Sequence, residues 1–530
     1  MSNRAGKVAK ATFIILILSM LAKLLGFVRE AVIAKEYGAT SVADAFLVIF
    51  NIPYIINGML NAALVIVIVP VFTQCIVNGK TEEARRVFST LFSIFLIFLT
   101  SIIVIGLWNS NFVISLFAPG FDQQTAQLAS NLALIMFPSI LFFALASFFA
   151  GLLNTHNIFA PSAAAPVILN TVIIGSSYTI GKSFGVYGLA IGVLLGTLIM
   201  AFFQAPFLRK TDFNFRAVLD LKDEGVRRVF GLMFPILIGS GVGQINILIY
   251  YHLGSELVEG TISALNYATK LILLPQGIFV MAVATAIFPS LSRSVVDLKY
   301  EQFSNTLIKG LKMILLLSAP CVVGLIVLRE PIVSVLFKRG AFDERALALT
   351  SGVLLFLSLG LIGQCLSPVL TRGFYALQDT LSPVKVTFIT VTVNIALSLL
   401  LIKRMEHLGL ALANSVAMTI NAVLLGFLLR KRVTSNINNG LVVFSCKVVL
   451  SSVVMGVLLS IFDKFLVSIC LSIVIRLLID IAIGGTIFFV IGLILRTEEL
   501  YYATISIKDI LKTLSMNVLN KTYCLKRYAK

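Results

Sequence analysis

The chain is an almost unbroken series of apolar runs, each long enough to cross a bilayer. Hydropathy places candidate helices near 11–34, 42–77, 87–109, 125–153, 158–181, 185–208, 228–252, 261–291, 308–328, 345–376, 382–402, 408–429, 443–462 and 468–496. A spanning helix takes about 20 mostly apolar residues. With 58% of 530 residues hydrophobic, about fourteen such helices consume nearly the whole sequence. Only 12% of residues are charged, against about 25% in soluble domains, so the chain lacks the polar coat of a cytosolic enzyme. The expected fold class is an all-α integral membrane protein with about fourteen transmembrane helices.

The formal net charge is +18. In a soluble protein this excess would suggest nucleic acid, but here the bases sit between apolar runs, where they set topology and meet anionic membrane lipids. No nucleic acid partner is expected. Arg4, Lys7 and Lys10 precede the first run, and Lys80/Arg85/Arg86, Arg209/Lys210/Arg216/Lys222/Arg227/Arg228, Arg293/Lys299 and Arg430/Lys431/Arg432 fall in alternate connections. The intervening ones carry fewer bases, mainly Lys338/Arg339 and Lys403/Arg404. This asymmetry and an even span count predict both termini on the cytoplasmic side. The first run leads into a charged segment instead of an A-x-A site, so no cleavable signal peptide is expected. Cys75, Cys321, Cys365, Cys446, Cys470 and Cys524 are never closer than 24 residues, a spacing that suits neither a metal site nor a redox pair. The partly apolar, basic stretch from Lys508 to Lys530 reads as an interfacial helix.

An internal repeat organises the runs. Ile114–Asp122 resembles Val333–Asp343, and Gly151 to Pro161 matches Gly373 to Pro383 with the same ten-residue step. Gly58 and Pro70 are spaced like Gly277 and Pro289, and Leu208-Arg-Lys210 recurs as Leu429-Arg-Lys431. Offsets between partners lie between 219 and 222 residues. Twelve spans therefore divide into an N-terminal lobe, 1–210, and a C-terminal lobe, 211–432. Six spans being an even number, the repeats are parallel and are expected to enclose a central cavity. An extra helix pair, 433–497, and a basic cytoplasmic tail, 498–530, follow.

Charges inside such helices cost roughly 2.5–3.5 kcal/mol each at the centre and usually face a wet cavity. In the first span Lys23 lies roughly 18 Å from the entry at residue 11, followed by Arg29 and Glu30. In the eighth, Lys270 lies roughly 14 Å from residue 261. Neither lysine has a carboxylate within one turn on its own helix, which leaves both available for an anion; pairing with carbonyls, Glu30 or Asp44 is the structural alternative. The second span adds Asp44, Asn51, Asn57 and Asn61. Gly26, Pro53, Gly58, Pro275 and Gly277 weaken the ladders of the first, second and eighth spans and are candidate hinge or gate positions. Arg476 and Asp480, four apart, are expected to neutralise each other. His156, His252 and His407 are isolated near span ends.

The run Ala22-Lys-Leu-Leu-Gly-Phe-Val-Arg-Glu-Ala31, then Ala43-Asp-Ala-Phe46 and Ile52-Pro53, resembles the opening of the MurJ (MviN) group of the multidrug/oligosaccharidyl-lipid/polysaccharide (MOP) exporter superfamily. Further matches are Ala118-Pro-Gly-Phe121, Leu153-Asn-Thr155, Phe288-Pro-Ser-Leu-Ser292, Gly373-Phe-Tyr375, Gln378-Asp379 and Pro383-Val-Lys385, and the resemblance covers roughly residues 10 to 500. It implies a flippase that moves lipid II, an undecaprenyl-pyrophosphate-linked peptidoglycan precursor, through a cationic cavity, with the extra helix pair lining a groove for the prenyl tail. Lys23, Arg29 and Lys270 fall at positions where that family places cavity arginines. Lysine at 23 and 270 keeps the charge without the bidentate fork of arginine. Asn57 stands where relatives often carry another arginine, and Thr269 and Leu273 replace acidic neighbours of the eighth-span cation. The sodium site of some relatives needs an acid in the eleventh span, where Asn394 and Ser398 are neutral.

The expected mechanism is alternating access, with Lys23, Arg29 and Lys270, and Glu30, Asp44 and Asn57 beside them, forming a substrate-binding region for a diphosphate. No catalytic residues, cofactor or metal are expected. Two rivals stay open: an exporter of another prenyl-pyrophosphate-linked oligosaccharide, and a membrane glycosyltransferase or acyltransferase. The second rival would need an acidic or histidine cluster, and the loop near 209–228 has no D-x-D.

Overall fold

The computed structural model describes residues 2–64, 81–211, 219–220, 222–432, 439–468, 472–497 and 499–500. Pro70, Cys75, Lys80, Arg216, Cys470, Cys524 and the basic tail from Lys508 lie outside them. Every regular element among the described residues is helical. In chain order these are α1 (Ser2–Tyr37), α2 (Ser41–Ala63), α3 (Thr81–Trp108), α4 (Ser110–Phe117), α5 (Gln123–Met136), α6 (Ser139–Thr155), α7 (Ala160–Tyr178), α8 (Ile180–Phe184) and α9 (Val186–Gln204). After a 3-10 turn, Ala205–Thr211, follow α10 (Glu224–Ser255), α11 (Thr261–Val296), α12 (Tyr300–Val327), α13 (Arg329–Phe337), α14 (Glu344–Leu359), α15 (Leu361–Ala376), α16 (Leu381–Arg432), α17 (Asn439–Ser468) and α18 (Ile473–Ile494).

Helix boundaries follow local chemistry. Helix α1 runs unbroken through Gly26 and stops at Gly38, whose φ of 61° and N–H to the Ala34 carbonyl (2.8 Å) make a left-handed cap. Asp122 starts α5 by accepting from the Gln124 amide, and Asp223 starts α10 by accepting from Gly225 and Val226. The 52 residues of α16 would be about 78 Å long if straight, more than twice a bilayer core. It is broken at Glu406, where φ is 48° and ψ is −129°.

By length and apolarity, eight helices among the described residues qualify as spans, or up to eleven when three bent pairs each count as one. That is fewer than the fourteen read from hydropathy, and the stretch from 65 to 80 within the second expected span lies outside the described residues. Corresponding elements recur along the chain. Helices α3 and α12 each have 28 residues and begin at 81 and 300, 219 apart. The bent pair α5/α6 (41°) recurs as α14/α15 (44°), with α6 and α15 starting at 139 and 361, 222 apart.

The chain forms two compact units, one of Met1–Lys270, Leu336–Val353 and Thr387–Ala413, the other of Leu271–Val335, Leu354–Val386 and Asn414–Lys530. The first unit has an aromatic centre. Phe88, Phe92 and Phe95, on one face of α3, meet the Phe148 ring of α6 at centroid distances of 5.8, 5.5 and 5.4 Å. In the second unit Ala319 of α12, Phe444, Val448 and Met455 of α17 and Phe488 of α18 form a buried cluster.

Candidate functional site

The site lies in the first unit and is organised by one carboxylate. Adjacent positions on α1 bury Arg29 and Glu30, 7% and 1% exposed. Arg29 donates from Nη2 to Glu30 Oε1 (2.6 Å) and from Nη1 to Asn170 Oδ1 of α7 (3.1 Å). Its guanidinium carbon sits 4.6 Å from the Phe50 ring centroid of α2. Asn170 is itself fixed, donating from Nδ2 to the carbonyls of Pro166 (2.9 Å) and Ala22 (3.2 Å). A buried charged pair needs partners for its remaining polar atoms; Asn170 supplies one for Arg29, while Arg29 Nε has none among the described residues.

The second Glu30 oxygen accepts from Asn266 Nδ2 of α11 at 2.8 Å. One turn further along α11, Lys270 Nζ stands 3.8 Å from Glu30 Oε1. That separation is ionic contact without a hydrogen bond, and the Lys270 side chain keeps 32% of its surface. Two cations therefore share one carboxylate, which leaves a surplus positive charge on the more accessible partner. Lys23, two turns before Glu30, is exposed and forms no ion pair among the described residues.

The other expected residues are placed differently. Asp44 is buried and spends both oxygens on the start of α11: it accepts from Gly260 N (2.8 Å), Ser263 N (2.7 Å) and the Ser263 hydroxyl. The residue preceding α11 is a glycine with no side chain to offer, so the N-terminal amides take a cap from α2. Asn57 Oδ1 accepts from Ser147 Oγ of α6 at 2.8 Å. Gly26 faces Asn170, whose Nδ2 would lie 3.6 Å from an added Cβ, and Gly58 is exposed beside Gln244. Pro53 is buried within α2, while Pro275 and Gly277 are half-buried within α11. Asn394 donates to Asn246 at 3.0 Å and Ser398 is buried. Asn170, Asn266 and Ser263 were not among the expected site residues; only the contacts between distant helices reveal them.

Beyond the carboxylate, three turns interlock. The Ala341 amide donates to the Lys35 carbonyl at the end of α1 (2.7 Å), and the Ser41 amide donates to Glu259 (2.8 Å). Tyr267 Oη donates to the Gly38 carbonyl at 2.8 Å. At Gly260 (φ 86°) a Cβ would overlap the Ala39 carbonyl oxygen, and at Gly340 (φ 61°) it would overlap that of Lys35. Both turns need glycine for the left-handed conformation and for the close approach. Beneath them the rings of Tyr267, Phe337 and Phe342 pack at tilted angles with centroids 5.3 to 5.9 Å apart.

The model of the family described as "Lipid II flippase MurJ" matches residues 33–478. A probable lipid II flippase MurJ of Vibrio cholerae is 34% identical over 431 residues, covering 79% of this chain and 82% of that protein. A lipid II flippase MurJ of Burkholderia cenocepacia is 31% identical over 424 residues, 78% and 82% of the two chains. Among solved structures, a lipid II flippase MurJ in an inward closed conformation superposes with a TM-score of 0.81 at 25% identity, covering 92% of this chain and all of the other. An inward-facing MATE transporter of the MOP superfamily shares the fold at a TM-score of 0.67 and 15% identity over 80% of this chain. The sequence motifs, the all-helical architecture and these matches agree, and the chain belongs to the MurJ lipid II flippase family.

Proposed function

We propose that this protein is a transporter, not an enzyme, and moves lipid II or a closely related polyprenyl-pyrophosphate glycolipid from the inner to the outer leaflet of the bacterial cytoplasmic membrane. Family membership sets the substrate class. The observation that carries the site assignment is the surplus charge at Glu30: Arg29 satisfies this carboxylate at 2.6 Å, so Lys270 at 3.8 Å can give its charge to a passing diphosphate. In this reading Arg29 is a positioning residue that holds Glu30, while Lys23 and Lys270 meet the anion. Asp44 and Asn57 keep α11 and α6 in place around it.

Unaided, the head group would drag its phosphate charges through hydrocarbon at prohibitive cost. Lysine cations in a hydrated path offset that charge, while the prenyl tail stays in the lipid. Alternating access then requires the lobes 1–210 and 211–432 to rock, with both termini, including the basic tail, on the cytoplasmic face beside anionic lipids. The interlocked turns at Gly260 and Gly340 must separate in that motion, and the helix weak points Gly26, Pro53, Gly58, Pro275 and Gly277 take up the bend.

Leaflet-resolved labelling of lipid II in cells depleted of this protein tests the reading: lipid II is expected to accumulate in the inner leaflet. Lys270→Ala should abolish complementation while the protein still inserts, and Lys270→Arg should retain it. Normal growth on the Ala variant would overturn the role of Lys270, and an unchanged lipid II distribution would overturn the substrate.

A further inference from the structure

The second unit contains a charged cluster that the transport reading does not use. It lies between α17 and α18. Arg476 of α18 donates to a single oxygen of Asp463 in α17, from Nε at 2.7 Å and from Nη2 at 2.6 Å. Asp480, one turn along α18, is 4.0 Å from Arg476 Nε and has no exposed surface. Neither carboxyl oxygen of Asp480 has a hydrogen-bond partner among the described residues. The expected i,i+4 pair persists only as an ionic contact at 4.0 Å, because Arg476 turns its two donors to Asp463.

The side chain of Asp480 is fully covered, while those of Asp463 and Arg476 keep 18% of their surface. Asp480 is about 10 Å into α18 from Ile473, and Asp463 about 8 Å back from the end of α17 at Ser468. One turn before Asp480, Leu477 packs with Leu459 and Leu328; one turn after it, Gly484 lies against Leu459 and Met455. Asp480 therefore looks toward α17. Val327 of α12, Ile332 and Val335 of α13, and Leu328 between the two helices pack at this corner. Arg329 and Glu330, at the start of α13, pair with each other at 3.6 Å. Asp463 and Arg476 are the charged groups facing Asp480 among the described residues.

Two carboxylates and one guanidinium leave a net charge of −1 among apolar side chains, which is expensive unless a positive charge arrives. A metal cation would need several oxygen ligands, and the cluster offers one bare carboxyl beside another already held by Arg476. No group of three or more metal-ligating side chains occurs among the described residues. A proton needs only one acceptor.

We propose that the α17–α18 pair contains a proton-binding site, in which Asp480 is the carboxylic acid and the Arg476-bound Asp463 is its partner. Uptake forms one O–H bond on Asp480, with the proton taken from water, and brings the cluster from −1 to neutral. Release returns the proton to water and leaves the cluster with an uncompensated charge. The site is independent of the diphosphate assignment, since none of its residues belongs to the Glu30 cluster.

The test uses the full chain in lipid nanodiscs in sodium-free buffer. Infrared spectra of the wild type minus Asp480→Asn should show the carbonyl band of one protonated carboxylic acid per chain, lost as the pH is raised. Asp463→Asn should also remove that band, because Arg476 then serves Asp480 alone; this variant decides the matter if Asp480→Asn does not fold. The thermal midpoint of the wild type should fall as alkali strips the proton, while that of Asp480→Asn stays level. A blank difference spectrum with superimposable pH profiles would overturn the proposal. So would a band removed by added sodium at constant pH, which would mark a metal site instead.

Discussion

Glu30 in α1 and Asp480 in α18 are both buried carboxyl groups beside an arginine, yet their surroundings differ in kind. Glu30 accepts from Arg29 and Asn266 and has Lys270 in reach, so two cations crowd one anion. Among the described residues Asp480 has two bare oxygens and shares the cation Arg476 with Asp463, so two anions crowd one cation. Surplus charge of either sign calls for an external counter-charge. The first cluster suits a mobile anion, the second a proton, and the contrast comes from counting partners instead of residue types.

The sharpest way to break this contrast is to neutralise each carboxylate in turn. Glu30→Gln strands Arg29 as a buried cation and should cost about 3–5 kcal/mol, read by thermal unfolding of the purified protein. Asp480→Asn replaces an acid by its near-isosteric amide and should cost under about 1 kcal/mol near neutral pH. Equal losses would erase the distinction. Next in size, Asp44→Ala leaves the amides of Gly260 and Ser263 without their acceptor and should cost about 2–3 kcal/mol, also by unfolding. If Asp44 instead contacted substrate, its loss would lower transport without lowering stability. The smallest effect is expected from Lys270→Ala, whose partly exposed contact at 3.8 Å contributes less than about 1 kcal/mol to folding. That variant should unfold like the wild type and still fail to transport.

The sequence made the membrane class, the duplication and the intramembrane charges legible, because long apolar runs and a constant offset are local or periodic signals. The partners of those charges were not. Arg29 pairs with the next residue, but Glu30 is completed by Asn266, 236 positions away, and Arg29 by Asn170, 141 positions away. Asp44 looked like one more charge for a binding region, whereas its acceptor capacity goes to a helix start that opens with glycine. The spacing of Arg476 and Asp480 suggested a pair, and it took the fold to show that Asp463, thirteen residues before the arginine, has the shorter contacts. Helical spacing identifies neighbours on one helix and says nothing about a competitor on the next.

The interlocked turns at Ala39–Gly260 and Lys35–Ala341 combine one main-chain bond with contacts from the side chains of Asp44, Glu259 and Tyr267, with two glycines permitting the approach. The ionisable handles of this fastening are two carboxylates, Asp44 on the Gly260 amide and Glu259 on the Ser41 amide, so acidity gains purchase on it only there. Whatever opens that doorway has to pull on the helices themselves, and a methyl group at Gly260 would wedge it ajar against the Ala39 carbonyl.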